Sequence, residues 1–120
     1  MTRPASIEVI NQLRNLLNQL SSTEYTEKLT VLNNSSIGQH VRHTIEFFQC
    51  LIKGSSIGIV DYDGRERNLL IETNLLFTRN ILADIELSIA TESNLYRTFR
   101  IRVNYGESDF ELIESNFMRE

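Results

Sequence analysis

The sequence has few residues that interrupt or cross-link a chain, with one cysteine, one proline and no tryptophan among 120 residues. A single cysteine, Cys50, cannot form a disulfide within the chain, which is typical of a reducing compartment. The N-terminal stretch lacks the apolar segment and the small-residue cleavage site of a signal peptide. No apolar run approaches the about 20 residues that a transmembrane helix requires. The sequence therefore predicts a cytoplasmic protein without a membrane partner.

Basic residues are also in the minority. Twelve Lys and Arg stand against 16 Asp and Glu, which gives a formal net charge of −4. Because phosphate binding depends on clustered Lys and Arg, this balance argues against a nucleic-acid partner. Hydrophobic residues make up 41% of the sequence, enough for a single folded domain over residues 1–120.

Two amphipathic helices are predicted in the first half of the chain. The first covers residues 4–20, where apolar residues recur at steps of three and four. The second begins at Ser36, which forms a capping-box pair with Gln39, and ends near Gly54. Its apolar positions cover more than half of the helix circumference, so we expect it to be mostly buried. His40 falls inside this apolar arc and His43 lies at its edge.

A third long helix is predicted from Arg65 to Ala90, with Asp63 and Glu66 as a capping pair. Glu46 of the second helix and Glu72 of the third are candidate acid/base groups. However, a carboxylate on a helix more often lies on a solvated face, and we expect that here.

The pattern then changes to alternation between residues 95 and 105, which predicts a β-strand. Gly106-Glu107 suits a two-residue type II′ turn and predicts a hairpin. The apolar side of the first strand should face the helices, and Arg102 should face solvent. This register pairs Val103 with Phe110, Ile101 with Leu112, Arg102 with Glu111, and Asn104 with Asp109. After it, Ser115 is the predicted N-cap of a fourth helix, of which the sequence contains only the start, residues 116–120.

Two segments together resemble the DinB-like (YfiT-like) four-helix-bundle family. They are Ser36–His43, which reads S-I-G-Q-H-V-R-H, and Val60–Arg67, which reads V-D-Y-D-G-R-E-R. The resemblance implies a mainly α fold, an up-down bundle with a β-hairpin between helix three and helix four. The expected domain spans residues 1–120 and lacks most of the last helix.

The resemblance also implies a divalent metal, zinc or nickel, held by three histidines. His43 matches the ligand position in helix two, and the other two ligands come from an H-x-x-x-H pattern in helix four, which this sequence does not contain. His40, one turn before His43, is a candidate second ligand or orienting group. Characterised relatives are thiol-dependent transferases and isomerases, so a small-molecule thiol is the implied substrate class. Cys50 lies two turns from His43, and a small core residue is its better interpretation.

Two functions remain open from the sequence. One is a metal-dependent enzyme of the thiol-transferase type. The other is a non-catalytic, metal-free protein that associates with itself, since an incomplete bundle leaves apolar surface exposed. With only two histidines in the chain, we predict that the 120-residue protein binds no stoichiometric metal and forms a homodimer.

Overall fold

The computed structural model describes residues 3–64, 67–92, 98–104 and 110–116, and most of these residues are helical. The mainly helical class is therefore confirmed, whereas the four-helix-bundle arrangement stays a prediction. None of the helices in these ranges is long and apolar enough to span a membrane.

The helices are α1 (Arg3–Gln19), α2 (Ser22–Thr26), α3 (Ile37–Ile57), α4 (Leu69–Thr73) and α5 (Leu75–Thr91), with a 3₁₀ turn at Thr30–Leu32. The strands are β1 (Lys28–Leu29), β2 (Ser35–Ser36), β3 (Ile59–Val60), β4 (Phe99–Asn104) and β5 (Phe110–Ser115).

The first two predicted helices are confirmed as α1 and α3. The Ser36 hydroxyl accepts a hydrogen bond from the Gln39 amide, and the Gln39 side chain accepts one from the Ser36 amide. This capping box satisfies two amide groups that the first turn of a helix would otherwise leave without partners.

The predicted end of this helix near Gly54 is wrong, because α3 continues to Ile57 and ends at Gly58. Gly58 has φ 97°, the left-handed conformation that favours glycine. Gly54 is instead buried inside the helix, where Val60 of β3 packs on it so closely that a Cβ would lie 2.5 Å from the Val60 Cγ2. Gly54 therefore serves close packing, not termination.

The third predicted helix is two helices, α4 and α5, so the single span Arg65–Ala90 is wrong. Asn74 separates them with extended backbone angles, φ −116° and ψ 102°, and its side chain accepts a hydrogen bond from the Phe77 amide. Asparagine is a strong N-cap, and here it starts a new helix inside an apolar-periodic segment. The N-cap of α4 is Asn68, and Glu66 of the predicted capping pair lies outside the described residues.

The polar connection after α1 contains a helix that the sequence analysis missed. Ser21 and Glu24 form a capping box around α2, which buries Tyr25 completely. The Tyr25 hydroxyl donates to the Ile71 carbonyl at 2.6 Å and so joins α2 to α4. Burial raises the pKa of Tyr25, and the Thr78 hydroxyl partly opposes this effect.

The β-hairpin is present, and the two sides of its first strand are as predicted. β4 and β5 pair antiparallel, and β3 adds to β4 in parallel to give a three-stranded sheet. Phe99 is buried and Ile101 packs on the core, while Arg102 is exposed.

The predicted hairpin register is wrong by one residue. The observed pairs join Ile101 with Ile113, Arg102 with Leu112, and Val103 with Glu111. The last pair joins Asn104 with Phe110. A one-residue shift moves every β5 side chain to the other face, so Leu112 lies beside Arg102. The predicted turn Gly106-Glu107 lies outside the described residues.

Ser115, the predicted N-cap of a fourth helix, is the buried last residue of β5. Residues 117–120, on which most of that helix was predicted, lie outside the described residues.

The core lies where α1, α3 and α5 meet above the sheet. Arg14 of α1 forms an ion pair with Glu86 of α5, and Arg79 of α5 donates to the Leu17 carbonyl at 2.7 Å. These contacts fix α1 along one flank of α5. The largest fully buried apolar side chains are Tyr25, Phe48, Phe99, Ile10, Leu17, Ile45, Leu51, Ile71, Leu82 and Ile89.

Candidate functional site

A buried ionic cluster joins α3 and α4, although we expected its carboxylates to lie on solvated faces. Glu46 is 1% exposed, and the Glu72 side chain is 14% exposed. Arg42 lies between them, with its Nη1 2.9 Å from Glu72 Oε2 and its Nε 3.7 Å from Glu46 Oε1. The prediction of a solvated face is therefore wrong, because Arg42, one turn before Glu46, compensates the charge of both carboxylates. A carboxylate one turn from an arginine, within an apolar run, is the sequence signal that was missed.

Glu46 also fixes the beginning of α4. Its Oε2 accepts a hydrogen bond from the Asn68 amide at 2.8 Å, and the Asn68 side chain then caps α4 at the Leu70 amide. A hydrogen bond from an amide to an ionised carboxylate is stronger than one between neutral groups. The buried carboxylate therefore holds the segment between β3 and α4 against α3.

Two further contacts attach this segment to α3. The Cys50 thiol donates to the Asp61 carbonyl at 3.1 Å, and the rings of Phe47 and Tyr62 stack with centroids 4.7 Å apart. Cys50 is half-buried. Its interpretation as a small core residue is therefore incomplete, because its thiol also attaches the loop at Asp61 to α3. Asp61 Oδ1 in turn accepts a bond from the Gly64 amide at 3.2 Å.

A groove of about 580 Å³ lies between α3, α5 and this attached segment. Its volume is within the range of small-molecule sites, roughly 300–1,000 Å³. The walls combine five isoleucines with three carboxylates and one lysine. Its lining includes Glu46, Ile52, Lys53, Ile57, Ile59, Asp61, Asn68, Ile81, Asp84 and Ile85.

The two histidines predicted as metal ligands lie on α3, and both are exposed. The expected burial of His40 within the apolar arc is therefore wrong. His40 borders a shallow hollow between α1 and α3, because Leu13 and Leu16 of α1 reach only part of this face. His43, which was placed at the edge of this arc, is exposed as well. Among the described residues, no group of three His, Cys, Asp or Glu side chains could hold a metal ion. Those residues alone therefore do not assemble the three-ligand site that the resemblance implies.

A second surface with a regular pattern lies on α5. Leu76, Asn80, Ala83 and Leu87 are all exposed, and they are spaced by four, three and four residues. We call these four residues the α5 stripe. Leu76 is 66% exposed and Leu87 is 65% exposed, so both leucines face solvent in the isolated chain. The buried residues of α5, among them Leu82 and Ile85, lie on a different side of the helix.

No family model, curated protein or solved structure matches this chain. The resemblance to the DinB-like family therefore stays a prediction.

Proposed function

We propose that this chain is a non-catalytic interaction module that forms a homodimer through its α5 stripe. The exposed leucines at coiled-coil spacing are the observation that supports this proposal. Spacing of four and three residues keeps one side of a helix facing a second helix over several turns. About two thirds of the surface of each leucine is exposed to solvent. A second helix packed on the stripe would remove this apolar surface from water.

The stripe is complementary to itself when two copies run antiparallel. Leu76 of one copy then faces Leu87 of the other, and Asn80 faces Ala83. The small Ala83 lets the two helices approach closely, and a polar residue such as Asn80 at a core position favours one register. Antiparallel helices also align their macrodipoles favourably.

The flank of the stripe that faces α1 carries charges that are compensated within one copy. Arg79 donates to the Leu17 carbonyl, and Glu86 forms an ion pair with Arg14. A second copy on the stripe therefore meets no unbalanced charge on this flank, and the leucines supply the contact.

Sedimentation over a concentration series tests the proposal. Only two large side chains per copy would be buried, so we expect a dissociation constant on the order of 10 µM. Leu87→Asp should give a monomer at all concentrations, because it places a charge in the contact. Val31→Asp is the matched control, since Val31 is 88% exposed and far from the stripe in sequence. A wild-type monomer at about 200 µM, or equal behaviour of both variants, would contradict the proposal.

A second candidate is the metal-dependent thiol chemistry implied by the resemblance. Its support is that His40 and His43 are both accessible on one helix, one turn apart. Zinc or nickel would stabilise a bound thiolate, and it requires about three protein ligands. Titration calorimetry with zinc separates the candidates. The interaction module predicts no stoichiometric binding and no change of stability in His43→Ala, whereas one zinc per chain, lost in His43→Ala, would favour the enzyme.

A further inference from the structure

The three-stranded sheet has two edges of different length. β3, at one edge, has only two residues, and it contacts α3. β5, at the other edge, has six residues, and in the part of the chain that the structure describes it pairs with β4 alone. Residues 111–114 of β5 are exposed, so both faces of its middle are open to solvent. A long edge strand of this kind is a template for a further strand.

The hydrogen bonds of β4 show which backbone groups of β5 point outward. The Arg100 amide donates at 2.9 Å to the carbonyl of the glycine before β3, on the β3 side of β4. Successive residues of a strand direct their backbone groups to opposite sides, so Ile101 directs its amide and carbonyl to β5. Ile101 is paired with Ile113, which therefore points back to β4. Leu112 and Glu114, on either side of Ile113, direct their amide and carbonyl groups to the open edge.

The side chains at this edge indicate the chemistry of a strand that fits it. Leu112 is 39% exposed and Ile113 is 45% exposed, on opposite faces. Glu114 is exposed on the same face as Leu112. Apolar pairs and opposite-charge pairs across two strands stabilise a sheet, and antiparallel pairing is the more stable arrangement per residue. A fitting antiparallel strand therefore has a basic residue opposite Glu114, followed by apolar residues opposite Ile113 and Leu112.

A second copy of β5 does not supply this pattern. In antiparallel pairing, Leu112 can exchange its edge hydrogen bonds with residue 110, 112, 114 or 116 of the copy. The registers with 110 and 116 place Glu111 opposite Glu111 and Glu114 opposite Glu114, respectively. The other two place Glu111 opposite Ile113 or Glu114 opposite Leu112. Each register thus sets a glutamate against a like charge or an apolar side chain.

We propose that the edge of β5 binds an extended segment of a partner protein in which a basic residue is followed by two apolar residues. The segment adds a fourth strand to the sheet. Its backbone exchanges hydrogen bonds with Leu112 and Glu114, and its basic side chain lies beside the Glu114 carboxylate. This edge does not include the α5 stripe, so Leu87→Asp should bind the segment as the wild type does.

Two labelled peptides of seven residues test the edge. Each has threonines on both sides of a central Lys-Val-Val or Glu-Val-Val. By fluorescence anisotropy, the lysine peptide should bind with a dissociation constant on the order of 100 µM, and the glutamate peptide about fivefold more weakly. In Glu114→Gln, which removes the charge and keeps the size, the two peptides should bind within about twofold of each other. No binding of the lysine peptide at about 1 mM, or unchanged discrimination in Glu114→Gln, would overturn the proposal.

A proline at position 112 tests the backbone contact. Leu112→Pro removes an outward amide and leaves the hydrogen bonds between β4 and β5, since proline is tolerated where the amide of an edge strand faces solvent. It should weaken binding of the lysine peptide at least about tenfold, whereas Leu112→Val, which keeps the amide, should bind within about twofold of the wild type.

Circular dichroism checks the fold of both variants. If Leu112→Pro is unfolded, the comparison of the two peptides on Glu114→Gln decides the test alone. Equal binding of the lysine peptide by folded Leu112→Pro would overturn the proposal. Self-association of the wild type that Leu112→Pro abolishes would overturn it as well, because it would assign the edge to a second copy of this chain.

Discussion

The two sides of α3 are held by different kinds of contact. On one side, Gly38 allows the helix to approach α2 and α4 so closely that backbone atoms touch, and Tyr25 closes the junction. On the other side, α3 holds a loop through a few polar contacts and leaves a groove beside it. The difference indicates that the first side supplies stability, whereas the second is available for binding.

The largest expected effect is on the closely packed side. In Gly38→Ala, the new Cβ would lie 2.3 Å from the Glu72 carbonyl oxygen and 3.0 Å from the Tyr25 carbonyl oxygen. Both neighbours are backbone atoms, so helices must separate, and we expect a loss of about 3 kcal/mol in the free energy of unfolding. Urea denaturation measures this loss. Ser56→Ala, on the exposed surface of the same helix, is the control and should change stability by less than about 0.5 kcal/mol. A tolerated Gly38→Ala would mean that the two sides do not differ as described.

A smaller effect is expected for Tyr25→Phe, which removes the hydrogen bond to the Ile71 carbonyl. That oxygen still accepts a bond from the Thr78 hydroxyl at 2.5 Å, so it is not left without a donor. We therefore expect a loss of about 1 kcal/mol in the free energy of unfolding at neutral pH.

The same variant has a pH signature. Burial raises the pKa of Tyr25 above its ordinary value, and Glu72 adds to this shift while Thr78 opposes it. The fold thus favours the neutral phenol, and this contribution is complete below pH about 10 and lost as the pH rises through the raised pKa. The stability difference between wild type and Tyr25→Phe should therefore shrink above that pH. A constant difference in urea denaturation from neutral to strongly alkaline pH would contradict the assignment.

The smallest effect is expected in the groove. Ile57 is 71% exposed, so Ile57→Thr should change the free energy of unfolding by less than about 0.5 kcal/mol. Strong destabilisation would show that this side of α3 is structural as well.

A local signal predicted the beginning of α3, whereas long-range contacts decided several other features of the fold. The capping residues of α3 lie within four positions of each other, so Ser36 was sufficient to place its start. The hairpin register depends on the connection length and on the pairing of β4 with β3, neither of which alternation reveals. Gly54 resembled a helix end because its partner, Val60, packs on it only in the fold.

The candidate sites were harder to predict for the same reason. Counting apolar positions does not separate the buried Leu75 from its neighbour Leu76, which lies on the exposed α5 stripe. Glu46 was assigned to a solvated face because apolar periodicity alone does not show that a carboxylate can be buried when an arginine, here Arg42, lies one turn away. His40 and His43 were identified as a pair from a motif, and their exposure depends on which helices cover α3.

Cross-linking of single-cysteine variants tests the α5 homodimer most directly. In a Cys50→Ser background, Leu76→Cys and Leu87→Cys are prepared separately and treated with a short bifunctional maleimide, alone and mixed. The antiparallel contact predicts covalent dimers chiefly in the mixture, because residue 76 of one copy faces residue 87 of the other. Efficient dimers in each variant alone would indicate parallel helices, and no dimers in any sample would contradict association through α5.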